Sequence, residues 1–374
     1  MLDVVSAALR DVEFRWPGLD EAAAAELYAA ARSHGVHLLL AERVLAAPES
    51  DRTVAGPLQQ RLFAALRNQL ALEAIAQAEL SSVIDALQQA GAATLLFKGT
   101  ALAYTLYAHP YIRPRADTDL IVEPARAALV GAVLERMGYT RASLITGDLV
   151  MYQACYNRTD SRGIPHTIDL HWRVSNPQIF AQTFDLDELA GGATAVPALG
   201  PAARAVGAVH ALAIACIHRV AHHADEDRLI WIYDIHLLAE HFTAGDQDEF
   251  VSLAAAKQLV AVCADGLELA HRTFGGAATA SLLARLTPSK APFERSAVYL
   301  VRRRKVDVLV SDLRALAGWK ERSKLVREHL LPPARYMRET YGVRVPALLP
   351  FYYVWRIARG ARQWFRSIPK QDPR

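Results

Sequence analysis

Two aspartates two residues apart, Asp117 and Asp119, and a third fifty residues later, Asp169, are the side chains of this 374-residue sequence whose type and spacing point most directly to chemistry. In an extended segment positions i and i+2 share a face, so the carboxylates of Asp117 and Asp119 lie side by side and repel one another. That arrangement becomes useful around a divalent cation, because Mg²⁺ favours a few carboxylates completed by phosphate oxygens. Asp169 stands between Ile168 and Leu170, which would hold its backbone in a sheet and leave the carboxylate on the opposite face. If its strand neighbours the first, three carboxylates converge, as a two-metal in-line displacement at phosphorus requires. His171 shares the face of Asp169 in a regular strand, so it would line the same pocket or pack beside Trp172 at the strand end.

Upstream, Lys98-Gly99-Thr100 closes an apolar run and opens a helical one. A glycine at such a turn lets the backbone approach phosphate, and the first N–H groups of the helix offer it donors. Arg113 and Arg115 repeat the two-residue spacing of the acids, and Pro114 biases Arg113 toward extended backbone. On the face of the aspartates they would clamp a triphosphate, or pair with the aspartates when no metal is present. An Asp-x-Asp pair alone more often caps a turn or sits solvated. The combination with Lys98-Gly99, the arginines and Asp169 is what specifies a metal site.

These residues need a small sheet to hold them, and the sequence supplies one. Strands are expected at Thr94–Phe97, Thr118–Val122, Val150–Asn157 and Ile164–Trp172, the last two forming a hairpin across a polar turn. Helices are expected at 99–107 and 124–137. Before this unit, Pro57–Ala90 reads as one long helix, with Pro57 suited to its first turn and Gly91 to its end. The three Gly and two Pro within 191–201 read as a linker, and helical texture then persists nearly to the end. The expected fold class is α+β: an N-terminal helical segment (1–90), a mixed-sheet core (91–195), and a helical C-terminal region (202–374).

A composition of 52% apolar and 22% charged residues excludes a wholly disordered or collagen-like chain. Three widely spaced cysteines, Cys155, Cys216 and Cys263, predict free thiols in a reducing compartment and hence a cytoplasmic protein. No run is long and apolar enough to predict a transmembrane segment. The net charge of +3 conceals an asymmetry: residues 281–374 carry 21 Lys and Arg against 7 Asp and Glu, and the preceding 280 residues are net acidic. Within the basic quarter, aromatics and arginines interleave from Phe351 to Arg366. That pattern suits a helix packed on the body, an anionic surface or RNA, and packing is the primary reading. The basic run from Arg302 to Lys305 reads as a solvated helix face. His218 and His222 stand four apart on an expected helix; zinc is the sharper reading, but no third ligand presents itself, and polar contacts to the sheet unit are preferred.

The order of strand, glycine turn, helix, Asp-x-Asp strand and later acid resembles the polymerase-β-like nucleotidyltransferase superfamily. The wording is closer still to a family of uncharacterised bacterial nucleotidyltransferases often associated with surface-polysaccharide gene sets. It lies in Lys98-Gly99-x-Ala101-Leu102, Tyr107, Pro110, Arg113, Asp117-x-Asp119-Leu120-x-Val122, Asp169-Leu170-His171-Trp172 and Trp231-Ile232-Tyr233-Asp234-Ile235. The sequence departs from the wider superfamily in having Gly99-Thr100 at the turn and sixteen residues between Thr100 and Asp117. The resemblance implies that Asp117 and Asp119 hold two Mg²⁺ or Mn²⁺ ions and that Asp169 binds one and takes the acceptor's proton. Lys98, Gly99, Thr100, Arg113, Arg115 and His171 would face an NTP such as ATP. The implied reaction moves an NMP onto a hydroxyl or phosphate of a small molecule, sugar, peptide or RNA. An RNA-directed enzyme like the toxins of abortive-infection systems fits the basic quarter, and a non-catalytic nucleotide-binding scaffold protein fits the same residues.

Overall fold

The computed structural model describes every residue except 12–13, 17, 49–55, 143–148, 223–226, 288–293, 302–303 and 365–374. Among the described residues, four helices come first: α1 (Leu2–Arg10), α2 (Glu21–Ser33), α3 (His37–Ala46) and α4 (Gly56–Gln89). The sheet unit runs β1 (Thr94–Leu96), α5 (Lys98–Thr105), β2 (Thr118–Val122), α6 (Ala127–Arg136), β3 (Thr140–Arg141), β4 (Gln153–Thr159) and β5 (Pro165–His171). Two short helices, α7 (Gln178–Ala181) and α8 (Leu186–Gly191), precede β6 (Thr194–Ala195) and β7 (Arg204–Ala205). A helical body follows: α9 (Ala208–His222), α10 (Leu229–Glu240), α11 (Ala244–Ala256), α12 (Val260–Phe274) and α13 (Ala277–Leu286). The chain ends with α14 (Lys305–Ala315), α15 (Trp319–Leu330), α16 (Ala334–Tyr341) and α17 (Leu349–Trp364). This is the expected α+β class.

The strands form one mixed sheet in the order β3-β4-β5-β2-β1-β7-β6. β4 and β5 make the expected hairpin, and its turn is fixed by Asp160, which accepts from the N–H groups of Arg162 and Ile164, each at 2.9 Å. The decisive pairing joins β2 and β5 in parallel and puts Asp119 directly opposite Asp169. The segment that reads as a linker is part of the sheet instead: β6 and β7 pair with each other, and β7 adds to β1 in parallel. Glycine and proline there make the turn between two very short strands, a composition that sequence reasoning does not separate from a linker.

Alternation along the strands gives the sheet two different faces. Leu96, Leu120, Val122, Ile168 and Leu170 are buried against α6 and the far half of α4. Leu95, Phe97 and Ile121 join a larger core with α1–α3 and α9–α13. Asp119 and Asp169 alternate with the first set, so they face the helical body. The 34 residues of α4 contribute to both cores, Leu58 and Leu62 to one and Leu80, Val83, Ile84 and Leu87 to the other.

At the C-terminus, α17 packs on its predecessors through Tyr352, Tyr353 and Trp355. The Tyr353 hydroxyl donates to the Pro332 carbonyl at 2.6 Å, and the Trp355 ring meets Tyr341 edge-on at 5.7 Å. Its outer face leaves Phe351, Val354 and Ile357 exposed. Arg302, Arg303, Phe365 and Arg366 lie outside the described residues. Among the described residues, no helix is long and apolar enough to cross a membrane, and Cys155, Cys216 and Cys263 are free cysteines.

The buried carboxylate of Asp312 on α14 accepts from the Gln178 N–H at 2.8 Å and ties α14 to α7. Burial pushes its pKa up to about 7. The folded chain therefore keeps a proton that the unfolded chain releases near pH 4, so this group lowers stability as pH rises between about 4 and 7. Asp312→Asn keeps an acceptor for the N–H and should flatten that part of the urea-measured stability profile, by on the order of 2–4 kcal/mol. Identical profiles for the two proteins would refute this role.

Candidate active site

The site begins at the turn between β1 and α5. Lys98 adopts a left-handed backbone, φ +52°, which a residue with a Cβ rarely takes without support from its surroundings. The conformation aims its ammonium at Asp119, with Nζ 2.9 Å from Oδ1 and 3.4 Å from His171 Nε2. His171 Nε2 lies 2.9 Å from the same Asp119 oxygen, and Phe97 backs the imidazole edge-on at 4.9 Å. Burial alone would raise the Asp119 carboxyl, but Lys98 and His171 outweigh it and hold the group well below the usual carboxylate range. Burial and Lys98 lower the His171 pKa, so the imidazole is neutral at pH 7.

Asp169 completes this group across the β2–β5 register. One ligand atom each from Asp119, Asp169 and His171 lies within 4.8 Å of the others. Asp117 sits just before β2, more open to solvent; desolvation by the surrounding cleft, then Asp119, then Asp169 raise its pKa to about 6. Two carboxylates and a neutral imidazole beside a further carboxyl under like-charge pressure fit a divalent cation, and Lys98 meanwhile supplies the neutralising charge. Cys155, opposite Asp169 on β4, has its thiol pushed up to about 12, by burial and then by the Asp169 charge.

Arg113 and Arg115 line the same cleft, and each is paired with a carboxylate. Arg113 is 5% exposed and forms a two-pronged pair with Asp234 of α10, Nε to Oδ1 at 2.9 Å and Nη2 to Oδ2 at 2.6 Å. The Tyr107 hydroxyl donates to Asp234 Oδ1 at 2.6 Å. Arg115 repeats the design on the other side, donating to both oxygens of Glu73 on α4 at 2.8 and 2.6 Å. The Tyr104 hydroxyl donates to Glu73 Oε1 at 2.7 Å, and the Arg115 guanidinium lies 5.3 Å from the Tyr104 ring centre. The acid-bearing loop is thus bolted to a helix on each side. Gly99 also serves this arrangement: a Cβ there would lie 2.6 Å from Arg113 Nη1, so the absent side chain makes room for the guanidinium. Thr100 is buried and donates to the Asp117 carbonyl at 3.2 Å, fixing the entry to β2.

Sequence reasoning missed Glu73 and gave Asp234 no role. Glu73 did leave a signal, because it falls in the helical series Leu66, Leu70, Glu73, Gln77, Leu80, Ile84 where an apolar residue is expected. Asp234 gave none without knowledge of what faces α10. His218 lines the cleft and packs edge-on against Trp231 at 5.4 Å. The His222 side chain, His223 and Asp225 lie outside the described residues, so the zinc alternative has no described geometry. The carboxylates open into a cleft of about 550 Å³, a volume that suits a small-molecule ligand. Its walls are the β1–α5 turn, α9, the head of α10 and the turn between α2 and α3.

Two stability measurements check this construction. Asp234→Ala leaves a buried guanidinium unpaired and should cost about 3–5 kcal/mol in urea unfolding, whereas joint Arg113→Met and Asp234→Leu recovers most of that loss. Gly99→Ala should cost roughly 1–3 kcal/mol, because Arg113 is held by two hydrogen bonds and cannot give way cheaply. A neutral Gly99→Ala would show that the guanidinium is free to move.

A model described as uncharacterised nucleotidyltransferase matches residues 20–275, more than half of the chain. No curated protein matches it. The matched span takes in Glu73, the three aspartates, His171 and Asp234, so both helical braces belong to the same unit as the carboxylate cluster. This chain is a member of the uncharacterised nucleotidyltransferase family.

Proposed function

We propose that the chain transfers a nucleoside monophosphate from an NTP to a hydroxyl or phosphate of an acceptor and releases pyrophosphate. The observation that carries this reading is the register of β2 and β5, which sets Asp119 against Asp169 in a cleft that Asp117 also lines. Asp117, Asp119 and Asp169 would hold two Mg²⁺ or Mn²⁺ ions, with His171 at their edge. Bound there, the cations supply charge neutralisation at the α-phosphate and on the leaving oxygen.

The protein's own groups perform the remaining work. The acceptor oxygen forms a bond to the α-phosphorus while the bond from that phosphorus to the β-bridging oxygen breaks, and the electron pair leaves with pyrophosphate. Asp169 accepts the acceptor's proton. Lys98 turns from Asp119 toward the phosphates when that carboxylate is otherwise neutralised. The uncapped start of α5 offers backbone N–H donors to the same oxygens. Positioning and electrostatics dominate, as phosphoryl-type transition states need little covalent assistance.

Incubation with α-labelled NTPs and Mg²⁺ or Mn²⁺ tests the reading. The parent chain should convert label to an acceptor adduct with release of pyrophosphate, and Asp119→Ala should slow this by about 10²–10³-fold while retaining the fold. NTP binding without turnover would select the scaffold reading, and turnover unchanged by Asp119→Ala would remove the aspartates from the chemistry.

A further inference from the structure

Among the described residues, two cations that line the cleft have no carboxylate partner. Lys98 is paired with Asp119, Arg113 with Asp234, and Arg115 with Glu73. Arg32, at the end of α2, and Arg228, at the head of α10, line the same cleft, and neither has a carboxylate partner among the described residues. Arg228 spends one donor on the Ser33 carbonyl at 3.0 Å and lies 5.3 Å from the Trp231 ring centre. Its Nε is sealed from solvent and has no acceptor among the described residues. Unpaired buried donors are costly, which makes such a group a place to look for a missing partner.

This wall is built into the fold. The Ile230 N–H donates to the His34 carbonyl at 3.1 Å and the Leu229 N–H to His34 Nδ1 at 3.3 Å. Gly35, at φ +73°, brings the turn so close that a Cβ would lie 3.1 Å from the Ile230 side chain. The turn between α2 and α3 is therefore joined to α10, and the same helix holds Arg113 through Asp234. Guanidinium groups suit phosphate because their N–H donors lie in a planar fork.

We propose that Arg32 and Arg228 bind the phosphoryl groups of the nucleoside triphosphate that are not transferred, the pyrophosphate that leaves. The inference rests on the nucleotidyltransferase reading and assigns the far end of the substrate. Arg113 and Arg115 are committed to carboxylates, so the charge that the β- and γ-phosphates need comes from the helical wall. As the bond from the α-phosphorus to the bridging oxygen breaks, the negative charge gathering on the leaving group meets these two cations.

Calorimetric titration tests this with the full-length chain, Mg²⁺, the NTP bound most tightly of the four, its monophosphate, and inorganic pyrophosphate. Arg32→Gln and Arg228→Gln are the variants, the second keeping a donor for the Ser33 carbonyl. Each should weaken NTP and pyrophosphate binding by about tenfold and leave the monophosphate within about twofold, with melting curves confirming the fold. Arg228→Lys should recover part of the loss. Equal losses for monophosphate and triphosphate, or none for either, overturn the inference while the parent's NTP binding leaves the wider reading intact. Pyrophosphate that binds beside saturating NTP and is lost in the variants would move the wall to a phosphate on the acceptor, overturning the assignment to the nucleotide. A parent chain that binds no NTP overturns both readings.

Discussion

The buried pairing of Arg113 with Asp234 is the interaction on which the site depends. It crosses from the acid-bearing loop to α10, and Arg115 with Glu73 makes the equivalent crossing to α4. Each pair takes ions out of water, a cost that good geometry and extra hydrogen bonds must offset. Tyr107 and Tyr104 supply those bonds, one to each carboxylate. The pairs are thus better understood as specifying position than as adding stability. Removing one partner exposes the desolvation cost, and replacing both with apolar residues would recover energy and lose the loop's placement.

Position matters because the aspartates oppose one another. Asp119 and Asp169 are held at one register point of a parallel pair, with Asp117 close enough for its carboxyl to feel both. A sheet left to relax would separate such charges. Here Lys98 neutralises Asp119 at the expense of a left-handed backbone, and the braced loop keeps Asp117 from swinging away. Held this way, the cluster of Asp119, Asp169 and His171 could receive a metal ion.

The charge asymmetry of the chain acquires a boundary. The family match ends at residue 275, just before the basic quarter that begins at 281. The carboxylate cluster, its two braces and the cleft all lie within the matched span. The terminal helices are outside it; α17 rests on them by one face and shows Phe351, Val354 and Ile357 on the other.

The sequence by itself determined the local facts. Alternation marked β2 and β5, the glycine-lysine turn marked the start of α5, and the residue types at 117, 119, 169 and 171 marked where a candidate site would lie. These depend on neighbours a few residues away, where period and turn preference suffice. It also identified Trp231 to Ile235 as part of the pattern without saying why. Only the tertiary structure decided that Arg113 and Arg115 face Asp234 and Glu73, that Gly99 is small for Arg113, and that 191–201 closes onto the sheet. A guanidinium meets whichever carboxylate the packing of distant elements brings to it. Glu73 and Asp234 are separated from their partners by 42 and 121 residues, and no local periodicity carries that information.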